Sequence, residues 1–285
     1  MKPAVATVCS LNASLDTILA DYAAGHCDAI DLWLGHADTF IAQFGVSALC
    51  ERLTELAIAP LAASFQGGLL TSSGEARQEH WRHFGERLAL CRELEIPVLV
   101  VAGDTFGPLS PQDLGQLSAS LSAAARQAVE SGVRLALEFD ARASFPNNLQ
   151  SAVALVEDVG HPGLGVCLDW HHFTVGPSKA LDLWLLTPEN LAHVQLSDIV
   201  DVPREMASDA DRILPGEGSS PPQELIARLA EIGYSGGVSV ELMNPALWRV
   251  PPRQFGEIAM TALRRVLGQA TMDGQGGSPE RAGIA

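Results

Sequence analysis

Residues 135–139 read Leu135-Ala136-Leu137-Glu138-Phe139, an alternation of bulky apolar side chains with a small one and a carboxylate. Three later runs repeat the pattern: Val166-Cys167-Leu168-Asp169, His193-Val194-Gln195-Leu196 and Val238-Ser239-Val240-Glu241. A β-strand turns successive side chains to opposite faces, so each run has one greasy face and one face carrying an oxygen-bearing tip. With helices packed on the greasy face, Glu138, Asp169, Gln195 and Glu241 all point the other way, into a common interior. Three carboxylates converging there would repel one another and resist desolvation unless something positive sat between them. A divalent cation that prefers hard oxygen ligands meets that need.

Outward from these runs, short apolar segments alternate with longer helical ones along the whole chain. Candidate strands are 5–9, 29–34, 58–64, 98–102, 133–139, 164–168, 193–197 and 237–242. Alternating strands and helices predict a parallel sheet, and eight units predict its closure into a (β/α)8 barrel, which accommodates a single domain of about 250 residues. The barrel is expected over 1–267, and the Gly- and Pro-rich tail 268–285 is expected to be disordered. Glu138 and Asp169 lie about one βα repeat apart, as do Asp169 and Gln195. The longer interval to Glu241 contains a polar loop, 198–218, that belongs over the mouth of such a barrel.

Helix signals agree with this layout. Trp81, Phe84, Leu88, Cys91 and Leu94 recur every three or four residues and form one apolar stripe over 75–95. Ser110-Pro111-Gln112-Asp113 reads as an N-cap with proline at the first helical position, and Leu114, Leu117, Leu121 and Ala125 continue the buried face. Ser220 before Pro221 is expected to cap a further helix, with Leu225, Leu229 and Ile232 inward and Gly233 ending it.

Composition narrows the function. A hydrophobic content of 47% supports a large core, while no apolar stretch approaches the roughly 20 residues of a membrane span. The formal charge of −16 repels phosphate backbones, which argues against a nucleic-acid partner and against an acidic membrane surface. Cys9, Cys27, Cys50, Cys91 and Cys167 are odd in number, scattered, and form no Cys-x-x-Cys pair, so reduced thiols in a cytoplasm are expected.

The quartet Glu138, Asp169, Gln195 and Glu241, with Asp169-Trp170-His171-His172, Arg212-Ile213-Leu214-Pro215-Gly216-Glu217-Gly218 and the closing 239–248 segment, resembles the xylose isomerase-like TIM-barrel superfamily of sugar and sugar-phosphate isomerases and epimerases. The resemblance covers most of the chain and is strongest over 135–248. It implies one divalent metal held by Glu138, Asp169, Gln195 and Glu241, with Gln195 standing where the family usually has histidine. The same Gln-containing set is similar to a branch that includes 3-dehydroshikimate dehydratases. A neutral amide oxygen among carboxylates weakens the case for zinc, so manganese or magnesium is expected.

Enolisation beside a carbonyl needs a base for the carbon-bound proton and positive charge for the developing oxyanion. Glu138 and Glu241 would flank the substrate as the proton-transferring pair, while a metal-stabilised enolate would serve isomerase, epimerase and lyase alike. His172 is expected to orient a substrate oxygen or move a proton, and Arg212 to hold a hydroxyl, carboxylate or phosphate through its fixed fork of donors. Trp33, Trp170 and Trp248 sit near strand ends and would wall the pocket. His193, two residues before Gln195 on the same face, is expected behind the ligand set, and His171 to pack. The favoured function is isomerisation or epimerisation of a sugar, sugar phosphate or related polyhydroxylated carbonyl compound. The alternative is a lyase acting on a dehydroshikimate-like compound, a keto-cyclitol or a 3-keto-glycoside. Apurinic endonucleases share the barrel, but their DNA-facing basic surface conflicts with this acid excess. A homo-oligomer is compatible with the sequence.

Overall fold

The computed structural model describes residues 1–269, so nearly all of the expected disordered tail, from 270 on, lies outside the described residues. Eight parallel strands close into a barrel: β1 Lys2–Ala6, β2 Ala29–Trp33, β3 Ala59–Gln66, β4 Val98–Gly103, β5 Arg134–Phe139, β6 Leu164–Asp169, β7 Leu191–Leu196 and, after a two-stranded ribbon, β10 Gly237–Val240. The ribbon pairs β8, Asp198–Ile199, antiparallel with β9, Arg212–Ile213. Around the barrel run α1 Leu15–Ala24, α2 Leu34–Phe44, α3 Val46–Glu55, α4 Gly74–Glu93, α5 Pro111–Glu130, α6 Leu149–Val159, α7 Trp170–Val175, α8 Gln223–Glu231 and α9 Pro252–Val266. The expected (β/α)8 TIM barrel is the fold. Among the described residues no helix is long and apolar enough to cross a membrane.

The period-two pattern separates two cores. Leu135, Leu137, Val166, Leu168, Val194, Leu196, Val238 and Val240 belong to the large cluster between strands and helices. Val100, Ala136, Cys167 and Ala192 form a second, small cluster apart from it. Ala136 and Cys167 share the parity of the oxygen-bearing tips on their strands, Ala192 is brought in by the register shift between β6 and β7, and the small size of the cluster suits the narrow interior of an eight-stranded barrel. Each fully buried Leu or Val on the outer face contributes about 1.5–3 kcal/mol from removal of apolar surface from water.

A buried hydrogen-bonded group joins β2, β3, β7 and β10. His193 Nε2 lies 3.1 Å from Asp31 Oδ2 and 3.2 Å from Ser239 Oγ, and Ser64 Oγ donates to Asp31 Oδ1 at 2.6 Å. Burial raises the Asp31 carboxyl, but the His193 hydrogen bond and charge, with Ser64 and Ser239, outweigh it and leave Asp31 below the usual carboxylate range.

Three local readings need correction. The first strand begins and ends earlier than the 5–9 run, because the chain turns into a 3-10 helix at Thr7–Ser10, where Thr7 Oγ1 accepts the Trp33 backbone N–H at 2.9 Å. Ser220 does not cap α8: its N–H donates to Asp198 Oδ1 at 2.8 Å and its carbonyl accepts from Trp170 Nε1 at 2.7 Å. Pro222 occupies the cap position instead, without a side-chain hydrogen bond, and Gly233 follows the helix at φ +70°. Ser110 and Asp113 form the full reciprocal cap of α5, while Leu114, expected inward, is 41% exposed on its first turn.

Candidate active site

The C-terminal ends of β2, β3, β4 and β5, the segment after β10, His172 of α7 and the loop through β9 surround a cavity of about 420 Å³. Glu138, the penultimate residue of β5, and Glu241, immediately after β10, line it with His172, Asp209 and Arg212. Asp169 ends β6, is wholly buried, and accepts the His171 backbone N–H at 2.8 Å as the cap of α7. That cap starts a helical turn which brings His172 back over the carboxylates. His172 Nε2 lies 3.7 Å from Asp169 Oδ2 and 4.0 Å from Glu138 Oε1. One ligand atom from each of Glu138, Asp169 and His172 falls within 4.8 Å of the others.

Glu241 joins this group through two neighbours. Gln195 Nε2 donates to Glu241 Oε1 at 2.9 Å, and the Cys167 thiol lies 3.1 Å from Gln195 Oε1. Gln195 is completely buried and turns its amide nitrogen, not its oxygen, toward the carboxylates. Arg212 supplies the second link: Nη2 is 2.6 Å from Asp169 Oδ2, Nη1 is 3.6 Å from Glu241 Oε2, and Nε donates to Asp209 Oδ1 at 2.9 Å. Although only 1% exposed, this guanidinium therefore touches three acids. The Asn244 amide fixes its backbone by donating to the Arg212 carbonyl at 3.0 Å.

Charge is unevenly compensated. Burial, reinforced by the Glu241 and Asp169 carboxylates and opposed by Arg212, pushes the Glu138 carboxyl well above its usual range. Glu241 rises to about 8 through burial, with Arg212 opposing and Asp169 and Asp31 adding to the rise. Asp169 goes the other way: burial raises it, but Arg212, His172 and His171 outweigh that. Burial, helped by Arg212, lowers the imidazole of His171 to about 4, and burial also lowers His172 against the pull of Asp169. One guanidinium thus holds Asp169 ionised and leaves Glu138 and Glu241 favouring the protonated form. A second positive charge among them would let all three ionise. Arg212 Nη1 and Asp169 Oδ2, both buried, also lack a well-formed hydrogen bond. Carboxylate oxygens with one imidazole are a donor set that fits a divalent cation.

The sequence-selected residues divide as follows. Glu138, Asp169, Glu241, His172 and Arg212 come together, and Gln195 backs Glu241. His172 stands beside Glu138 and Asp169, while Gln195, expected to contribute oxygen, turns its amide nitrogen to Glu241. Trp33 lines the cavity, whereas Trp248 is absent from its lining and lies in a 3-10 turn whose carbonyl accepts from Asn12 Nδ2 at 3.4 Å. Trp170 faces a separate groove and stacks on Phe173. His193 pairs with Asp31 and Ser239 and makes no hydrogen bond to Gln195. Sequence reasoning missed Asp31, Asp209, Asp140, Phe65 and Phe106. The first had a readable signal, an acid at the inward parity of the apolar run Ala29–Trp33; Phe65 lies in β3 beyond the end of the 58–64 run, and Asp140, Phe106 and Asp209 lie in connecting segments, where no period marks direction.

A sequence model of a family described as xylose isomerase-like TIM barrel matches residues 27–264. An inosose isomerase of Halalkalibacterium halodurans is 34% identical over 120 residues, 42% of this chain and 43% of that protein, so the match spans less than half of the relative. An inosose isomerase of Bacillus velezensis is 24% identical over 236 residues, 82% of this chain and 84% of that protein. The solved structure of the protein IOLI with a bound zinc atom superposes with a TM-score of 0.88 at 22% identity, over 94% of this chain and 99% of that one, a likeness of fold.

Proposed function

Since the chain belongs to the xylose isomerase-like TIM-barrel family, we propose that its cavity isomerises or epimerises a small polyhydroxylated carbonyl compound with the help of one divalent cation. The observation that carries this reading is the convergence of Glu138, Asp169 and His172 within 4.8 Å, with Glu241 joined to Asp169 through Arg212. Glu138, Asp169, His172 and Glu241 would hold the cation, Gln195 fixing Glu241 from behind. When bound, the cation supplies positive charge that polarises the substrate carbonyl and stabilises negative charge developing on its oxygen.

The protein's own groups account for the rest. Glu138 at the end of β5 and Glu241 just after β10 line the same cavity, and a substrate bound between them would meet a carboxyl group on either side. One ionised carboxylate takes the proton from the carbon beside the carbonyl; the other group, protonated, returns one to the opposite face or the neighbouring carbon. Burial raises both carboxyls above their usual range, Glu241 to about 8, which favours a group that can hold a proton and release it. His172, on the first turn of α7, orients a substrate hydroxyl. Arg212 keeps Asp169 ionised, and its unsatisfied Nη1 can donate to a substrate oxygen.

The names of the relatives put keto-cyclitols first in a screen. The full chain, loaded with Mn²⁺, Mg²⁺ or Zn²⁺ in turn, is incubated with keto-cyclitols and ketoses in D2O. Deuterium uptake into recovered substrate, together with an isomeric product, supports the reading. Elemental analysis of the purified protein is expected to find about one equivalent of divalent metal, with manganese favoured by the carboxylate-rich donor set. Gln195 in place of histidine favours the lyase as second reading, and an unsaturated product absorbing in the ultraviolet would select it. Failure of every ketone to exchange under all three metals would remove both readings.

A further inference from the structure

The cavity wall divides into two chemistries. Asp104, Glu138, Asp140, Asp209 and Glu241 line it, five carboxylates against the two cations Arg142 and Arg212, and no lysine is present. The charge of Arg212 is shared among Asp169, Asp209 and Glu241, leaving Nη1, 3.6 Å from Glu241, to donate to one substrate oxygen. Arg142 lies 3.8 Å from Asp209 Oδ2 and 3.5 Å from the Ala207 carbonyl, so it too faces an acid. At the rim the character changes: Phe65 and Phe106, 52% and 65% exposed, line the same cavity with Trp33 and Met243. Large apolar side chains held open at a concave site lose free energy to water until a ligand covers them.

We propose that the cavity takes an uncharged polyhydroxylated ring ketone, whose C–H face lies against Phe65 and Phe106, and rejects phosphorylated and carboxylated counterparts. This rests on the isomerase reading and specifies its substrate. A six-membered ring with equatorial hydroxyls turns its axial C–H bonds to its two faces, which gives a flat apolar surface with a hydroxyl edge. The face meets the aromatic rim; the edge meets carboxylates, which accept hydrogen bonds from hydroxyls but cannot donate when ionised. A phosphate or carboxylate has the opposite need. With the cation taken up by the substrate carbonyl, an anionic group elsewhere on the ring would have to draw Arg142 away from Asp209 and would still face Asp104 and Asp140, and unmatched like charges at a binding site cost several kcal/mol.

The test pairs binding with turnover. Metal-loaded full chain is titrated with a neutral cyclitol, its monophosphate and a ring carboxylate, following Trp33-dependent fluorescence or heat, and the matching ketones are followed by deuterium exchange. The expected result is binding and exchange with the neutral ring, and at least about 100-fold weaker affinity and kcat/KM for both anions. Equal or stronger binding of the phosphate or the carboxylate overturns the proposal while leaving isomerisation intact. Preference for the neutral ring without exchange in any ketone upholds the ligand class and removes the isomerase reading. Phe106→Ser should weaken the neutral ring about tenfold, the worth of roughly 55 Å² of apolar contact, and an open-chain ketose less. An unchanged ring affinity in Phe106→Ser and in Phe65→Ser would exclude the stacking face.

Discussion

Replacing Arg212 by methionine tests whether the site is built around a shortage of positive charge. The guanidinium is 1% exposed and lies 2.6, 2.9 and 3.6 Å from oxygens of Asp169, Asp209 and Glu241. Gross attraction at such distances is on the order of 5 kcal/mol per pair at an effective dielectric near 20, most of it offset by desolvation. What remains on removing one partner of a buried pair is about 3–5 kcal/mol, because the stranded carboxylates stay buried. For a chain of this size that corresponds to a fall in Tm of roughly 10 °C. Methionine fills much of the vacated volume, so the loss reports charge more than cavity. If a divalent cation shares the neutralising task, saturating Mn²⁺ should recover a large part of the loss, by about 2.7 kcal/mol at a hundredfold excess over Kd. Lowering the pH should also recover stability as the carboxylates protonate. Thermal and urea unfolding of Arg212→Met and the parent, with Mn²⁺ and with EDTA, at pH 5.5 and 8, read all of this. A loss below about 1 kcal/mol in EDTA, or one equal with and without Mn²⁺ at both pH values, would refute the reasoning.

Other outcomes follow from the same geometry. Glu241 carries a carboxyl raised to about 8 by burial. Its contribution to the metal-free fold is therefore fully present below the ordinary carboxyl pKa and is lost as pH rises through about 8. Because a cation needs the ionised form, metal affinity should climb across the same interval with protons released on binding, and calorimetry in two buffers of different ionisation heat measures the count. Glu138→Gln should keep the fold and lower solvent-proton exchange by about 10²–10⁴-fold, whereas an unchanged exchange rate would remove Glu138 from the reaction. Asp31→Ala, which strands the buried His193, should cost about 3–5 kcal/mol in urea unfolding, and a loss under 1 kcal/mol would show that the pair is dispensable.

The barrel was readable because its strands carry their own direction marks. In β5, β6, β7 and β10 the alternation of Leu or Val with Ala, Cys, His or Ser states which face meets helices, and that parity places Glu138, Asp169, Gln195 and Glu241 in one interior. It failed where periodicity stops. The run after Val5 stays apolar without alternating, so nothing in composition shows that Thr7 leaves the strand to accept the Trp33 N–H. Parity also cannot separate the two readings of Gln195, because an amide offers a donor and an acceptor on one carbon. The neighbours decide which end turns inward: Glu241 Oε1 accepts from the amide nitrogen, and the Cys167 thiol donates to the amide oxygen. His172 enters for the same reason in reverse: Asp169 caps α7, and a helical turn returns residue 172 toward its own N-cap, a geometry of capping and not of strand period.

The long loop explains why Asp209, and the ion pairs that bury Arg212, resist sequence reading although they dominate the electrostatics. Their placement depends on the β8–β9 ribbon, with Asp198 Oδ1 accepting from Ile199 and Ser220 at 2.9 and 2.8 Å and Asn244 holding the Arg212 carbonyl. Three contacts from separate segments fix one buried cation, and none of them is local to it. Lifting the 198–218 loop would withdraw the guanidinium from Asp169 and expose both charges, so loop position and the charge state of the carboxylates are one variable. A cation entering the site relieves the carboxylates of their dependence on Arg212, which frees Nη1 to bind a substrate oxygen. Metal loading and substrate binding should on this argument be coupled through Arg212, and the coupling should vanish in Arg212→Met even where both ligands still bind.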